Sequence, residues 1–166
     1  MKDAEAMAIA VGVIHREGLF LDRKEWSAWL DLYCEDVVYW APAWLDEHTT
    51  TQDPNTQVSL IYHSSRRELQ ERVERIQSRK SITAMPLPRT THCVTNMLIA
   101  DAASDSIEVT ASWTVHVYDT TSSKQHLFSG LYEYILRRDG DRWRIARKKT
   151  TLMNDRVPTA LDFYHL

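Results

Sequence analysis

Seven histidines and two cysteines stand out among the residues of this 166-residue chain that could do chemistry, and metal binding is the first use to test. A Rieske cluster takes two thiolates on one iron and two imidazoles on the other, supplied by Cys-x-His and Cys-x-x-His. Cys34 is followed two positions on by Asp36, and Cys93 by Thr95, so that motif is absent. A mononuclear iron triad can be assembled from distant residues. However, His15, His48, His63, His92, His116, His126 and His165 nowhere pair at i, i+4 on one helix, and scattered histidines are usually surface or singly bonded core groups. HExxH, the Walker loop, GxGxxG and the G-x-S-x-G elbow are missing. Neither cysteine has a flanking Lys or Arg, so an activated thiolate is not indicated.

Acid–base chemistry without a cofactor needs less. Helices folded over a curved sheet make a cone whose mouth can hold a small apolar molecule. The groups to test there are Asp31, Asp36, Tyr39, His92 and His116, with Asp36 as a buried base of raised pKa. The plain alternative is that Glu35–Asp36 ends the second helix before a strand.

A chain of this length, 19.3 kDa, suits one domain over residues 1–166. Its 43% apolar and 26% charged residues are near the globular average, which argues against disorder, collagen and coiled coil. Twenty basic against twenty-three acidic side chains give a charge of -3, with no basic excess for nucleic acid. Two cysteines make neither a disulfide framework nor a four-cysteine metal site. No segment reaches the ~20 apolar residues that span a bilayer. Asp3 and Glu5 sit where a secretion signal is basic, so a cytoplasmic, reducing setting is expected.

The elements that would position any site divide at Arg89. Before it the period is helical: helices are expected at about 4–33 and 65–80. Asp22 with Glu25, and Ser65 with Glu68, have the spacing of capping boxes. Trp26, Trp29, Leu30 and Tyr33 recur on one helical face, and Glu68–Arg72 and Glu71–Arg75 pair at i, i+4. Short strands are expected at Val37–Trp40 and Val58–Tyr62, with the polar stretch Asp46–Thr56 a loop between them. Ala84–Arg89, with two prolines, ends the last helix. After it the period is 2, and the sheet is expected mainly over 91–153, with a tail at 154–166. Ile107, Val109, Ala111, Trp113, Val115 and Val117 alternate with polar residues, and Asp139–Gly140 is a hairpin signal. Helices first and long strands afterwards indicate α+β, with helices over one face of a curved sheet.

One strand does not alternate. Leu127, Leu131 and Ile135 point one way, and Phe128, Tyr132, Tyr134 and Leu136 the other. One set packs on the chain's own helices; the other needs a ligand cavity or another subunit, unless the sheet curls and buries both. Leaving such a ring wet forgoes ~1.5–3 kcal/mol. A subunit contact is therefore expected from Phe128, Tyr132, Tyr134 or Trp113, and also from Trp44 and the tail Leu161–Leu166.

Four runs, Trp26–Pro42, Asp53–Tyr62, Leu69–Arg79 and Pro88–Asn96, carry a family likeness. Together they resemble the small, or β, subunit of aromatic-ring-hydroxylating dioxygenases, most of all the benzoate, toluate and anthranilate branch. The resemblance implies a cone-shaped α+β fold of the nuclear-transport-factor-2 (NTF2) type and a place in an α3β3 hexamer. It implies that the large subunit holds the Rieske [2Fe-2S] cluster, the mononuclear Fe(II) and the substrate pocket. A reductase would deliver electrons from NADH, and the complex would add both atoms of O₂ to an aromatic carboxylate such as benzoate, giving a cis-dihydrodiol. The small subunit would be structural and non-catalytic alone, with no cofactor or catalytic residue of its own. Arg89 would then bridge to the large subunit, or else clamp a loop within the chain. The competing reading is a stand-alone isomerase or dehydratase of the same fold, using the acid–base pocket.

Overall fold

The computed structural model describes residues 2–78, 86–157 and 160–166. Helix α1 (Asp3–Arg23) forms where few breakers interrupt the chain, and Asp3 and Glu5 in its first turn favour the positive end of the helix dipole. It buries Ala6, Ala10, Val13, Ile14, Glu17, Gly18 and Leu21, a stripe at helical spacing. It ends at Lys24, whose φ of 58° is left-handed. Asp22 lies in the last turn of α1, and Glu25, the N-cap of α2 (Trp26–Asp31), makes no side-chain capping bond. The first expected capping box is therefore corrected: the partners of Asp22 are in a distant strand. In α3 (Arg66–Gln77), Ser65 does accept from the Glu68 amide at 3.4 Å, while the Glu68 carboxylate accepts from the amide of Ser64. The exposed ion pair there is Arg67–Glu71, and Arg72 reaches Asp162 instead of Glu68. The expected end of this helix near Ala84 lies outside the described residues.

Six strands follow: β1 (Tyr33–Pro42), β2 (Ser59–His63), β3 (Arg89–Ala102), β4 (Ser106–Tyr118), β5 (Gln125–Asp139) and β6 (Arg142–Leu152). Their order is β2-β1-β6-β5-β4-β3, with β1 parallel to β6 and the other pairs antiparallel. Tyr33 begins β1 opposite Ile145, so this strand starts where the helical period was expected to continue. The hairpin β5–β6 turns through Gly140 and Asp141, with φ of +60° at Gly140, the first central residue, which suits a II′ turn. At Gly130 a side chain is impossible, because a Cβ would lie 1.8 Å from the carbonyl oxygen of Thr151.

In β4, Ile107, Val109, Ala111, Trp113, Val115 and Val117 are all buried, as the alternation requires. In β5 the two sets separate as expected, but the face assignment is reversed. Phe128, Tyr132 and Tyr134 are buried at 1–2% exposure, with Trp113 at 2%, whereas Leu127 and Leu131 are 53% and 46% exposed. The rings lie inside because the helix side of the sheet offers both volume and a hydrogen-bond acceptor; the hydroxyl of Tyr134 donates to Glu17. These four aromatic side chains cannot form a subunit contact while the chain is folded. The tail is corrected likewise: Phe163, Tyr164, His165 and Leu166 are buried in the chain's own core.

Candidate functional site

The interior beneath α1 holds most of the ionisable groups withdrawn from water. Nζ of Lys148 (β6) donates to Oε1 of Glu17 (α1) at 2.7 Å and to the main-chain oxygen of Leu166 at 3.2 Å. The hydroxyls of Tyr33 and Tyr134 donate to the same carboxylate at 2.5 and 2.8 Å. The ammonium sits 4.5 Å from the ring centroid of Tyr132 and 5.3 Å from that of Tyr39. Burial pushes the Glu17 carboxyl up, but the Lys148 charge and the three hydrogen bonds outweigh it and hold it below the usual carboxylate value. Burial pushes Lys148 down, against the attraction of Glu17. The phenols of Tyr33, Tyr39, Tyr132 and Tyr134 are raised well above their ordinary value by burial and by the Glu17 charge, so all four stay protonated. This cluster is satisfied internally and works as a polar pin between helix, sheet and tail.

The tail closes the interior at Trp29, whose ring stacks on Phe163 at 4.6 Å. Tyr39 reaches the Phe163 carbonyl at 3.5 Å, and Asp162 accepts from Arg72 at 2.6 Å. His165 accepts from the Asp162 amide through Nδ1 at 3.1 Å, and burial drives its pKa down to about 4.

The acid–base candidates do not converge. Asp36 is exposed and bound by Arg137, whose hydrogen bond holds its carboxyl low, opposite to the raised pKa expected of a buried base. Asp31 is 54% exposed and pairs with Arg142 and Arg144. His116 is exposed, on the sheet face away from the helices. Tyr39 and His92 do face inward, but His92 is held by Asp22, whose spacing from Glu25 suggests a helix cap instead. Asp22 takes Nδ1 of His92 at 2.6 Å, the His92 amide at 2.9 Å and the Thr90 hydroxyl at 2.9 Å. Burial would raise the Asp22 carboxyl, but the contacts with His92 and the Thr90 hydroxyl together outweigh it and hold it below the usual value. Nothing local in the sequence announces a pair whose members stand 70 residues apart.

The other interface candidates divide. Trp44 is half-buried and donates from Nε1 to the Leu152 carbonyl at 2.7 Å, tying its loop to β6. Arg89 is exposed at the start of β3, with its guanidinium 6.0 Å from the ring centroid of Tyr118 and no carboxylate partner among the described residues. Among the described residues no group of three His, Cys, Asp or Glu is arranged to hold a metal, so these residues do not fit an iron site.

Helices laid over one face of a curved, mixed six-stranded sheet define an α+β cone of the NTF2 type. A scytalone-dehydratase-type protein of Novosphingobium aromaticivorans has this fold too, with a TM-score of 0.68 at 16% identity over 95% of this chain and 92% of that one. The pattern of the family described as ring hydroxylating beta subunit matches residues 16–159, and the chain belongs to that family. It is 38% identical over 156 residues to the anthranilate 1,2-dioxygenase small subunit of Acinetobacter baylyi, covering 92% of this chain and 93% of that protein. The crystal structure of the beta subunit of benzoate 1,2-dioxygenase from Burkholderia mallei superposes with a TM-score of 0.79 at 32% identity, covering 96% of both chains. The resemblance noted in the sequence thus holds for family and fold.

Proposed function

We propose that this chain is the structural small subunit of a cytoplasmic Rieske oxygenase that dihydroxylates an aromatic carboxylate of the benzoate and anthranilate class. The observation that carries this reading is the family match over residues 16–159, joined by relatives at 30–38% identity that are named as small or beta subunits of anthranilate, benzoate and toluate dioxygenases. The [2Fe-2S] cluster, the mononuclear iron and ring recognition reside in the large subunit, electrons come from NADH through a reductase, and the assembly is α3β3.

The chain's own contribution is a pinned body with apolar side chains on its outer surface. On the sheet face away from the helices, Leu98, Leu127, Leu131 and Met153 are 46–65% exposed, with Thr110, Ser112, His116 and Glu133 beside them. Covering such a row removes apolar area from water, and the Glu133 carboxylate beside it is already paired with Lys149, which suits a permanent contact. Arg89 and Trp44 lie elsewhere on the surface and are retained as contacts to the large subunit, Arg89 because its guanidinium is left for a carboxylate.

Reconstitution tests the reading. The large subunit, this chain and a reductase are assayed together and separately for benzoate- and anthranilate-dependent oxygen uptake with NADH. Turnover is expected only in mixtures containing the large subunit, with more of it when this chain is present. Conversion of either acid by this chain alone would overturn the assignment.

A further inference from the structure

We propose that the groove between α1 and the β5–β6 hairpin docks a segment of the large subunit with an acidic side chain at one end, a basic one at the other and a bulky apolar one between them. The partner's identity rests on the proposed function, and the chemistry of the segment on the groove. Two adjoining cavities form it, of about 590 and 340 Å³, and both have Ile9, Asp141 and Trp143 in their walls. The floor is apolar. Val13 is buried beneath it, while Ile9 and Trp143 pack on the core and remain only half-buried. Half-exposed tryptophans are common anchors of subunit contacts. Gly12 lines the groove as well. A glycine in a helix interior weakens the helix, and the chain's own packing does not call for one here, since a Cβ would meet only the Arg16 guanidinium, at an ordinary 3.7 Å. The missing side chain leaves room for one brought in from outside.

The rim charges set the polarity of the occupant. Midway along, Asp31 is taken by Arg142 and Arg144 at 2.9 and 3.0 Å. Arg16 binds only its own helix, donating from Nε to the Gly12 carbonyl at 2.6 Å, and no carboxylate pairs with it among the described residues. At the other end Glu5 and Asp141, which have no ion-pair partner among the described residues, outnumber Arg138, whose Nε donates to the Gly140 carbonyl at 3.1 Å. One end is therefore basic and the other acidic. Glu5 and Arg16 stand roughly 16 Å apart along the helix axis at 1.5 Å per residue. An extended segment covers that span with about five residues and a helical one with about eleven. Complementary charges at both ends fix the register and direction of such a segment. The groove lies on the helix side of the sheet, so this contact is separate from the apolar row on the opposite face.

The test uses the complex of the full-length chain with the large subunit, its dissociation on dilution followed by light scattering. Gly12→Leu fills the groove, and Arg16→Glu reverses its basic end at an exposed position, so one variant stands if the other fails to fold. Circular dichroism and thermal unfolding of each variant chain check the fold. Each folded variant is expected to bind the large subunit at least tenfold more weakly, whereas Arg67→Glu, exposed on α3, keeps the natural affinity. Natural affinity in either folded groove variant, or an equal loss with Arg67→Glu, overturns the docking and leaves the proposed function standing. A natural chain that does not associate with the large subunit overturns both, so the two failures are told apart.

Discussion

Nζ of Lys148 lies 2.7 Å from Oε1 of Glu17, and both side chains are shut away from water, at 0% and 3% exposure. The pair joins α1 to β6 at a point where Tyr33 and Tyr134 complete the carboxylate's hydrogen bonds. Removing one partner leaves the other charge buried and uncompensated, which costs about 3–5 kcal/mol, whereas replacing both with apolar groups of similar volume is far milder. Urea unfolding should therefore show large losses for Glu17→Leu and for Lys148→Met, and a smaller loss for the combined Glu17→Leu, Lys148→Met variant than for the sum of the single changes. Additive losses would mean that the pair does not act as a unit.

Acid should weaken the fold through His165. Its folded pKa of about 4 lies below the ordinary 6.5, so the unfolded chain takes up the proton first. Stability is complete above the ordinary value and declines as pH falls from 6.5 towards 4, by about 3 kcal/mol for a shift of this size. His63 is lowered by burial and acts with the same sign. Unfolding midpoints measured between pH 7.5 and pH 4.5 should fall steeply for the natural chain and less steeply for His165→Gln. Parallel slopes for the two proteins would remove His165 from the account.

The two faces of β5 give opposite outcomes for neighbouring substitutions. Tyr132→Asp places a charge among Trp113, Tyr134 and Lys148 and should unfold the chain, seen as loss of the far-ultraviolet circular dichroism signal. Leu131→Asp, on the exposed face, should leave that signal unchanged and reduce the mass of the assembly by light scattering. A folded Tyr132→Asp protein would contradict the burial of the ring, and an undiminished assembly with Leu131→Asp would place the contact elsewhere.

Much of this architecture is legible in the sequence, and the parts that are not share a cause. The alternation of β4 and the sorting of β5 into two sets follow from period alone. Period does not say which set faces inward: the choice rests on Glu17, 117 residues from Tyr134, whose carboxylate needs phenolic donors. Asp22 reads as a cap because a local partner, Glu25, stands at the right spacing, while its actual partner is in β3. Tyr33 reads as helical by its spacing from Trp26 and Trp29, yet its main chain pairs with Ile145 in a parallel ladder. The tail Leu161–Leu166 reads as a subunit contact because it is apolar and follows the last strand; its burial depends on Trp29, Arg72 and Lys148, which fold around it. The acid–base pocket fails to assemble for the same reason, since Asp36 and His116 have suitable chemistry but their strands turn them outward.

The central claim is that this chain is a scaffold docked to a separate iron-bearing subunit. The most direct measurement is the native mass and iron content of the complex purified after co-expression of the chain with its large subunit. The expected result is one stable assembly holding the two polypeptides in equal numbers, with all iron retained by the large subunit after the two are separated. A chain that purifies free of any partner, or one that keeps stoichiometric iron after separation, would contradict the account.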